Sequence, residues 1–349
     1  MNFTKLPKST YIKSFKWLEE HHPYPEADIR GDTYPMTWAD DDEIYTSAGD
    51  PLWGETINGL DVQKFTGGPL DYKIAKFNHM NDYRGWGGNG QKPSGMICVD
   101  GVLYLAFQNF YPGNETPYSV KSQSGADASI VRCVPRFNQW YPSLATIKEP
   151  MFPGTKFGGP AFINFGKNNA NARDEYVYAV SGDQWDNGSN VHLGRVPNNH
   201  IMEAAYWEFV CAFEPDGSPV WNRSLERAIP IISLHRYVSI PEMVYLSDLK
   251  RYLFLTWRLH EDFNPEAGTD LIILESPEPW GPFSLVYFEE YWQGQAFNPY
   301  NPRIPLKWME PGHQSGYLQF SGSWNQEIDE RTGLTYYRSN VRKFAIELF

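Results

Sequence analysis

Along this chain, short runs of aromatic and β-branched residues alternate with clusters of Gly, Pro, Asn and Asp. Most runs are about one strand long, and the polar clusters between them carry turn chemistry. That rhythm predicts an all-β sandwich, barrel or propeller. Helical spacing of apolar positions holds over two short segments only, Tyr11–Glu20 and His200–Phe209, and these are expected as helices.

Five segments share one internal order: a strand, a polar turn, then a strand carrying tyrosine or another aromatic. They are Thr33–Asp50, Ser94–Asn109, Pro160–Asp183, Pro241–Trp257 and Gly316–Asn340. A four-stranded propeller blade needs roughly 40 to 50 residues plus loops, and these units recur at about 60 to 85 residues. The pattern therefore predicts a single five-bladed β-propeller with long loops and a few short helices. No linker or low-complexity tract divides the chain, so residues 1–349 are read as one domain, with 1–25 an N-terminal extension packing on it.

Composition narrows the classes of function. The 349 residues include 16% aromatics and carry a formal net charge of −12. A chain this aromatic is not disordered. No apolar run approaches the roughly 18 residues of a membrane span, so no membrane partner is expected. Nor is a nucleic-acid partner, since no dense Lys/Arg cluster offsets the acidic balance. The three cysteines, Cys98, Cys133 and Cys211, are widely spaced and form no CxxC, which argues against a disulfide framework or a zinc site. The N-terminus has lysines but no stretch of signal-peptide character. That leaves a cytoplasmic chain as it stands, or an exported one with its signal trimmed.

Candidate chemistry gathers in the first hairpin. Its turn centres on Asp41. Antiparallel pairing about that centre sets Trp38 opposite Ile44 and Asp32 opposite Asp50. Each of these two aspartates follows a glycine. Directly opposed side chains share a sheet face with Cβ atoms about 4.5–5.5 Å apart. Two carboxyls that close repel, so one should hold its proton. A glycosidase needs that division of labour, one carboxyl protonating the leaving oxygen and the other attacking or activating water. The alternative for Gly-Asp is a turn or strand-end cap. The acidic run Asp40–Asp42 lies at the other end of the hairpin and reads as a solvated turn.

Other loops combine aromatic and polar residues in the way that sugar rings, with their apolar faces and hydroxyl rims, require. Candidate substrate contacts are Trp86, Asp183, Trp185, His235, Arg236 and Glu242. Each has an ordinary structural reading as well, in blade packing or strand-edge charge. His313 falls in a similar loop and reads more readily as structural. No nucleophile elbow, HExxH or P-loop is present.

These residues carry a resemblance. GDTYPMTWADDDEIYTSAGD is similar to the opening blade of five-bladed propeller glycoside hydrolases of the endo-D-arabinanase type. PSGMICVDGVLYLAFQN, YVYAVSGD, HLGRVPNNHIMEAAYWEFVCA and ESPEPWGPFSLVYFEE follow in the same order, so the likeness spans roughly residues 25 to 345. The resemblance implies a retaining hydrolase acting on an arabinofuranoside-containing glycan through two first-blade aspartates. Here these fall on Asp32 and Asp50, with Asp32 taken as nucleophile. No cofactor is expected; an axial calcium ion is suggested by analogy alone. The expected partner is an oligo- or polysaccharide. A carbohydrate-binding propeller without catalysis, or a protein-interaction propeller, would share the aromatic loops but would need no aspartate pair.

Overall fold

The computed structural model describes residues 6–54, 56–57, 60–79, 90–110, 125–143, 146–261, 264–294 and 297–349. Its strands form a five-bladed β-propeller. The first blade runs outward from the axis as Ile29–Trp38, Ile44–Trp53, Leu60–Thr66 and Lys73–His79. The second is Gly90–Val99, Val102–Phe110, Asp127–Val134 and Gln139–Tyr141. The third is Pro160–Phe162, Tyr176–Gly182, Gly188–Pro197, Glu208–Phe213 and Pro219–Asn222, and Ile232–Val238 also pairs with its third strand. The fourth is Glu242–Leu246, Arg251–Glu261, Asn264–Ser276 and Ser284–Glu289.

The fifth blade closes the ring with both ends of the chain. Tyr300–Arg303, Ser315–Ser321 and Asn340–Leu348 come from the C-terminal part, and Ile12–Trp17 pairs antiparallel outside them. The expected helix at Tyr11–Glu20 is therefore a strand. Its spacing places Ile12 and Phe15 inward, and Phe15 stacks on Phe344 at 4.8 Å. Pairing along the edge of the nine-residue strand Asn340–Leu348 outweighs the helical preference of a short segment. The second expected helix, His200–Phe209, is replaced by single 3₁₀ turns at Asn198–His200 and Ala204–Tyr206, followed by strand Glu208–Phe213. Among the described residues no helix is long and apolar enough to cross a membrane.

Blade packing explains the near-continuous apolar runs. A sheet held between two neighbours is buried on both faces, so alternation between polar and apolar positions disappears. Strand Arg251–Glu261 sends Tyr252 and Phe254 into one core cluster and Leu253 and Leu255 into another. Near the axis the backbones nearly touch. A Cβ on Gly95 would lie 2.5 Å from the Pro160 carbonyl oxygen, so this position admits only glycine. Side chains stitch the inner strands together. Thr37 donates to Asn164 at 2.8 Å, and Asn164 donates to the Met96 carbonyl at 3.1 Å.

Four of the five hairpins read from the sequence are the two innermost strands of a blade. The fifth, within Gly316–Asn340, joins the second and third strands instead. The true inner strand, Tyr300–Arg303, has only four residues, one of them Pro302, and carries no apolar run to mark it.

Candidate active site

Asp32 lies on the innermost strand of the first blade and Asp50 on the strand beside it. Their register differs from the symmetric one. Met36, Thr37 and Trp38 pair with Thr46, Tyr45 and Ile44 as expected, but Thr33 then faces Ala48 and Asp32 faces Gly49. The ladder slips by one residue between Thr33 and Met36, then returns between Arg30 and Asp32. Two prolines explain the irregularity, because Pro35 and Pro51 have no N–H to give to a ladder. Thr33 and Tyr34 take positive φ values of 63° and 41°, and Asp50 takes 43°. The two bulges twist the strands locally and re-aim their side chains. Both aspartates are thereby buried near the axis, Asp32 at 8% exposure and Asp50 at 6%.

The neighbours come from three blades. Asp32 Oδ1 sits over Gly49, where an added Cβ would lie 2.6 Å from it. Asp32 Oδ2 accepts the hydroxyl of Tyr300, from the inner strand of the fifth blade, at 3.0 Å. Lys92, from the inner strand of the second blade, forms a buried ion pair with Asp50 Oδ1. Tyr337 donates to the Asp50 carbonyl at 3.3 Å.

Burial, and then the nearby Asp50 charge, raises the Asp32 pKa well above the ordinary carboxylate range; Lys92 and the tyrosine hydroxyls oppose the shift. Tyr300 and Tyr337 are pushed far up by burial and by the two carboxylates, so both keep their phenolic protons. The arrangement thus pairs a carboxyl that tends to hold its proton with a carboxylate whose charge is met by an ammonium. Among the described residues no group of three or more His, Cys, Asp or Glu side chains is placed to hold a metal ion.

An aromatic wall adjoins the pair. Tyr300 packs against Trp257 at 5.5 Å, Trp324 at 5.3 Å and Trp185 at 6.1 Å between ring centres. Phe110 meets Trp185 at 6.4 Å. Trp185 is buried among these rings, whereas Trp324 is only half-buried. Of the other expected substrate contacts, Asp183 accepts from the Ser189 N–H and the Asn190 side-chain amide, both at 2.9 Å, and so braces its own loop. His235 and Arg236 are exposed on the adjoining strand. The His235 ring lies 3.4 Å from Ser189 Oγ, and the Arg236 N–H donates to the same oxygen at 3.2 Å. Trp86 lies outside the described residues.

Glu242 has a different setting from the one expected. It is buried at the axis. Its Oε1 accepts the Ile304 N–H at 2.6 Å, and its Oε2 pairs with Arg303 at 3.4 Å. Arg303 in turn donates to the carbonyls of Thr33 at 3.0 Å and Pro241 at 3.2 Å. This clamp joins the first, fourth and fifth blades directly behind Asp32 and occupies the Glu242 carboxylate. His313 also lies elsewhere, where its ring accepts the Asp248 N–H at 3.3 Å.

Sequence reasoning missed Lys92, Tyr300, Tyr337 and Trp324. Lys92 carried a usable signal, as the one charged residue in the run GQKPSGMICV, whose later residues are apolar. Tyr300 sits in a Pro- and Asn-rich stretch that reads as a loop, whereas Trp324 and Tyr337 fall within the fifth hairpin, Gly316–Asn340, where nothing local marks them as facing the first blade.

No protein-family model matches this sequence, and no curated protein does. Solved structures do. The chain is similar to a provisionally assigned hydrolase from Bacteroides ovatus, 14% identical over 90% of this chain and 85% of that one, with a TM-score of 0.55. It is similar to a protein of unknown function from Dyadobacter fermentans, 10% identical over 96% and 100%, with a TM-score of 0.52. Glycoside hydrolases are among the structures found, such as the α-L-arabinofuranosidase PaAbf62A from Podospora anserina, solved with cellotriose. That one is 11% identical over 98% of both chains, with a TM-score of 0.49. The likeness to the first two, at these identities, is one of fold, and fold alone does not carry function.

Proposed function

We propose that this propeller is a retaining glycoside hydrolase whose catalytic pair is Asp32 and Asp50, acting on an arabinofuranoside-containing glycan. The observation that carries the reading is the unequal carboxyl pair. Asp32 is buried, proton-holding and capped by Tyr300, and Asp50 is matched by the Lys92 ammonium. Two titratable groups pushed apart by their surroundings are what acid/base assignment requires. The arabinose preference rests on the sequence resemblance.

In the mechanism, Asp32 gives its proton to the glycosidic oxygen while the Asp50 carboxylate attacks the anomeric carbon. The leaving group departs with that proton, and a glycosyl ester forms on Asp50. Asp32, now ionised, takes a proton from water, and the water oxygen attacks the same carbon. Asp50 is released and Asp32 is again protonated. Lys92 balances the Asp50 charge before attack and after release. Tyr300 holds Asp32 Oδ2, which directs the mobile proton to Oδ1. Trp324, half-open beside Tyr300, offers a ring face for the sugar.

The test is sugar release from D-arabinan, L-arabinan, other plant and microbial glycans and aryl glycosides, by wild type, Asp32→Asn and Asp50→Asn. Release by wild type alone supports the assignment, and NMR of the first-formed anomer reads the stereochemistry. Full activity in either variant overturns it. A binding-only propeller could use the same aromatic wall, but it would need neither a protonated carboxyl nor a buried ion pair beneath it.

A further inference from the structure

A second concave site lies on the opposite face of the disc, between the third and fourth blades. Strand Tyr176–Gly182 runs from this cleft to the loop that carries Trp185. Strand Arg251–Glu261 likewise runs from it to Trp257 in the aromatic wall. Tyr252 and Trp257 are five residues apart on one strand, so the cleft is about 17 Å from that wall at 3.3 Å per residue.

The cleft has a volume of about 520 Å³, within the range of small-ligand sites. Tyr178 and Tyr252 are among its buried lining residues. Trp280 is half-buried there and meets Trp221 edge-on at 6.4 Å. The polar groups are also held in place. Arg173 donates twice to Glu278, at 2.7 and 3.0 Å. Asp174 accepts the Tyr178 hydroxyl at 2.7 Å. Asp216 accepts the N–H and hydroxyl of Ser218 at 2.9 and 2.6 Å, in the turn that overhangs the cleft.

This combination selects a class of ligand. A half-buried aromatic ring suits the apolar face of a pyranose or furanose, and planar carboxylate and guanidinium groups suit neighbouring hydroxyls. Arg173 is neutralised by Glu278, which leaves Asp174 and Asp216 as net negative charge, so an anionic ligand is repelled. Because the polar groups are already braced, little ordering cost opposes binding. We propose that this cleft is a second carbohydrate-binding site, which takes a neutral glycan chain and holds it on the face remote from Asp32 and Asp50. The site would retain a polymer near the enzyme while the axial site acts on it.

The experiment uses the full chain carrying Asp50→Asn, titrated calorimetrically with neutral arabino-, xylo- and cello-oligosaccharides. Trp280→Ala and, separately, Asp216→Asn are added to that background. Asp216 is fully exposed, so its variant folds even if loss of the tryptophan disturbs the blade. The expected result is at least a tenfold weaker fit to one class of site with Trp280→Ala, and a severalfold loss with Asp216→Asn. Hydrolysis of a small aryl glycoside by the otherwise wild-type Trp280→Ala chain should be unchanged. Equal binding in parent and both variants overturns the proposal, as does no binding of any oligosaccharide in the panel, or tighter binding of oligogalacturonate than of its neutral counterparts. Hydrolysis by the wild-type chain is scored separately. Trp280-dependent binding without turnover would remove the catalytic reading and keep this one; turnover without Trp280-dependent binding would do the reverse.

Discussion

Replacing Lys92 by methionine isolates the electrostatic core of the candidate site. The substitution keeps most of the side-chain volume and removes the ammonium that pairs with Asp50. Both partners are buried, with side-chain exposures of 4% and 9%. Taking one partner from a buried pair leaves an uncompensated charge and costs about 3–5 kcal/mol. Unfolding entropy near 2.1 cal/mol/K per residue gives a chain of 349 residues about 0.7 kcal/mol/K, so Tm should fall by about 4–7 °C. Differential scanning calorimetry at pH 7 measures this directly. A second arm tests the cause. Asp50→Asn strands the Lys92 ammonium in the same way, and the double variant carries neither charge, so adding Lys92→Met to the Asp50→Asn background should recover most of that loss. A Lys92→Met shift below 1 °C at pH 7, or an equal penalty on the Asp50→Asn background, would refute the argument.

Further expectations concern the pair itself. With Asp32 raised to about 8, the native state keeps a proton that the unfolded chain releases near 4. That contribution to stability is complete below about pH 4 and is lost as pH rises through about 8. Asp32→Asn should therefore flatten the fall in Tm between those limits, while hydrolysis drops by several orders of magnitude; an unchanged Tm profile would contradict the shift. Hydrolysis by the wild type should decline on the alkaline side as Asp32 loses its proton. Tyr300→Phe removes a hydrogen bond that favours the charged Asp32, so this alkaline limb should move to higher pH, at a stability cost of about 0.5–1.5 kcal/mol; a downward shift would be inconsistent with the bond seen. Gly49→Ala drives a Cβ to 2.6 Å from Asp32 Oδ1. Overpacking of this kind costs about 1–3 kcal/mol, and a larger loss in hydrolysis than in Tm would show that the displaced group is Asp32.

How much of the molecule was legible in the sequence follows from what each feature depends on. Local pattern and turn chemistry suffice for strands and hairpins. The all-β class, the blade number and the inner hairpins of four blades could therefore be read from apolar runs and their Gly, Pro, Asn and Asp breaks. Asp32 and Asp50 could be singled out because both sit on one hairpin, within reach of a register argument. Even there the symmetric register failed, since Pro35 and Pro51 withdraw N–H donors and the ladder slips around each aspartate.

What remained depends on residues far apart in the chain. Lys92, Tyr300 and Tyr337 reach the pair from other blades, and no local pattern reports which inner strands meet at the axis. Glu242 read equally as a third site carboxyl or a strand-edge charge, and only the fold shows that the fifth blade supplies Arg303 and the Ile304 N–H to its carboxylate. The segment Ile12–Trp17 became a strand only because the far end of the chain, Asn340–Leu348, presents an open edge for it to cover. The sequence by itself determined strands, turns and the two aspartates on one hairpin, because those follow from neighbours in the chain. Tertiary structure decided which carboxyl holds a proton, which has a counter-ion and which serves the fold, because charge and burial at the axis are set by all the blades that meet there.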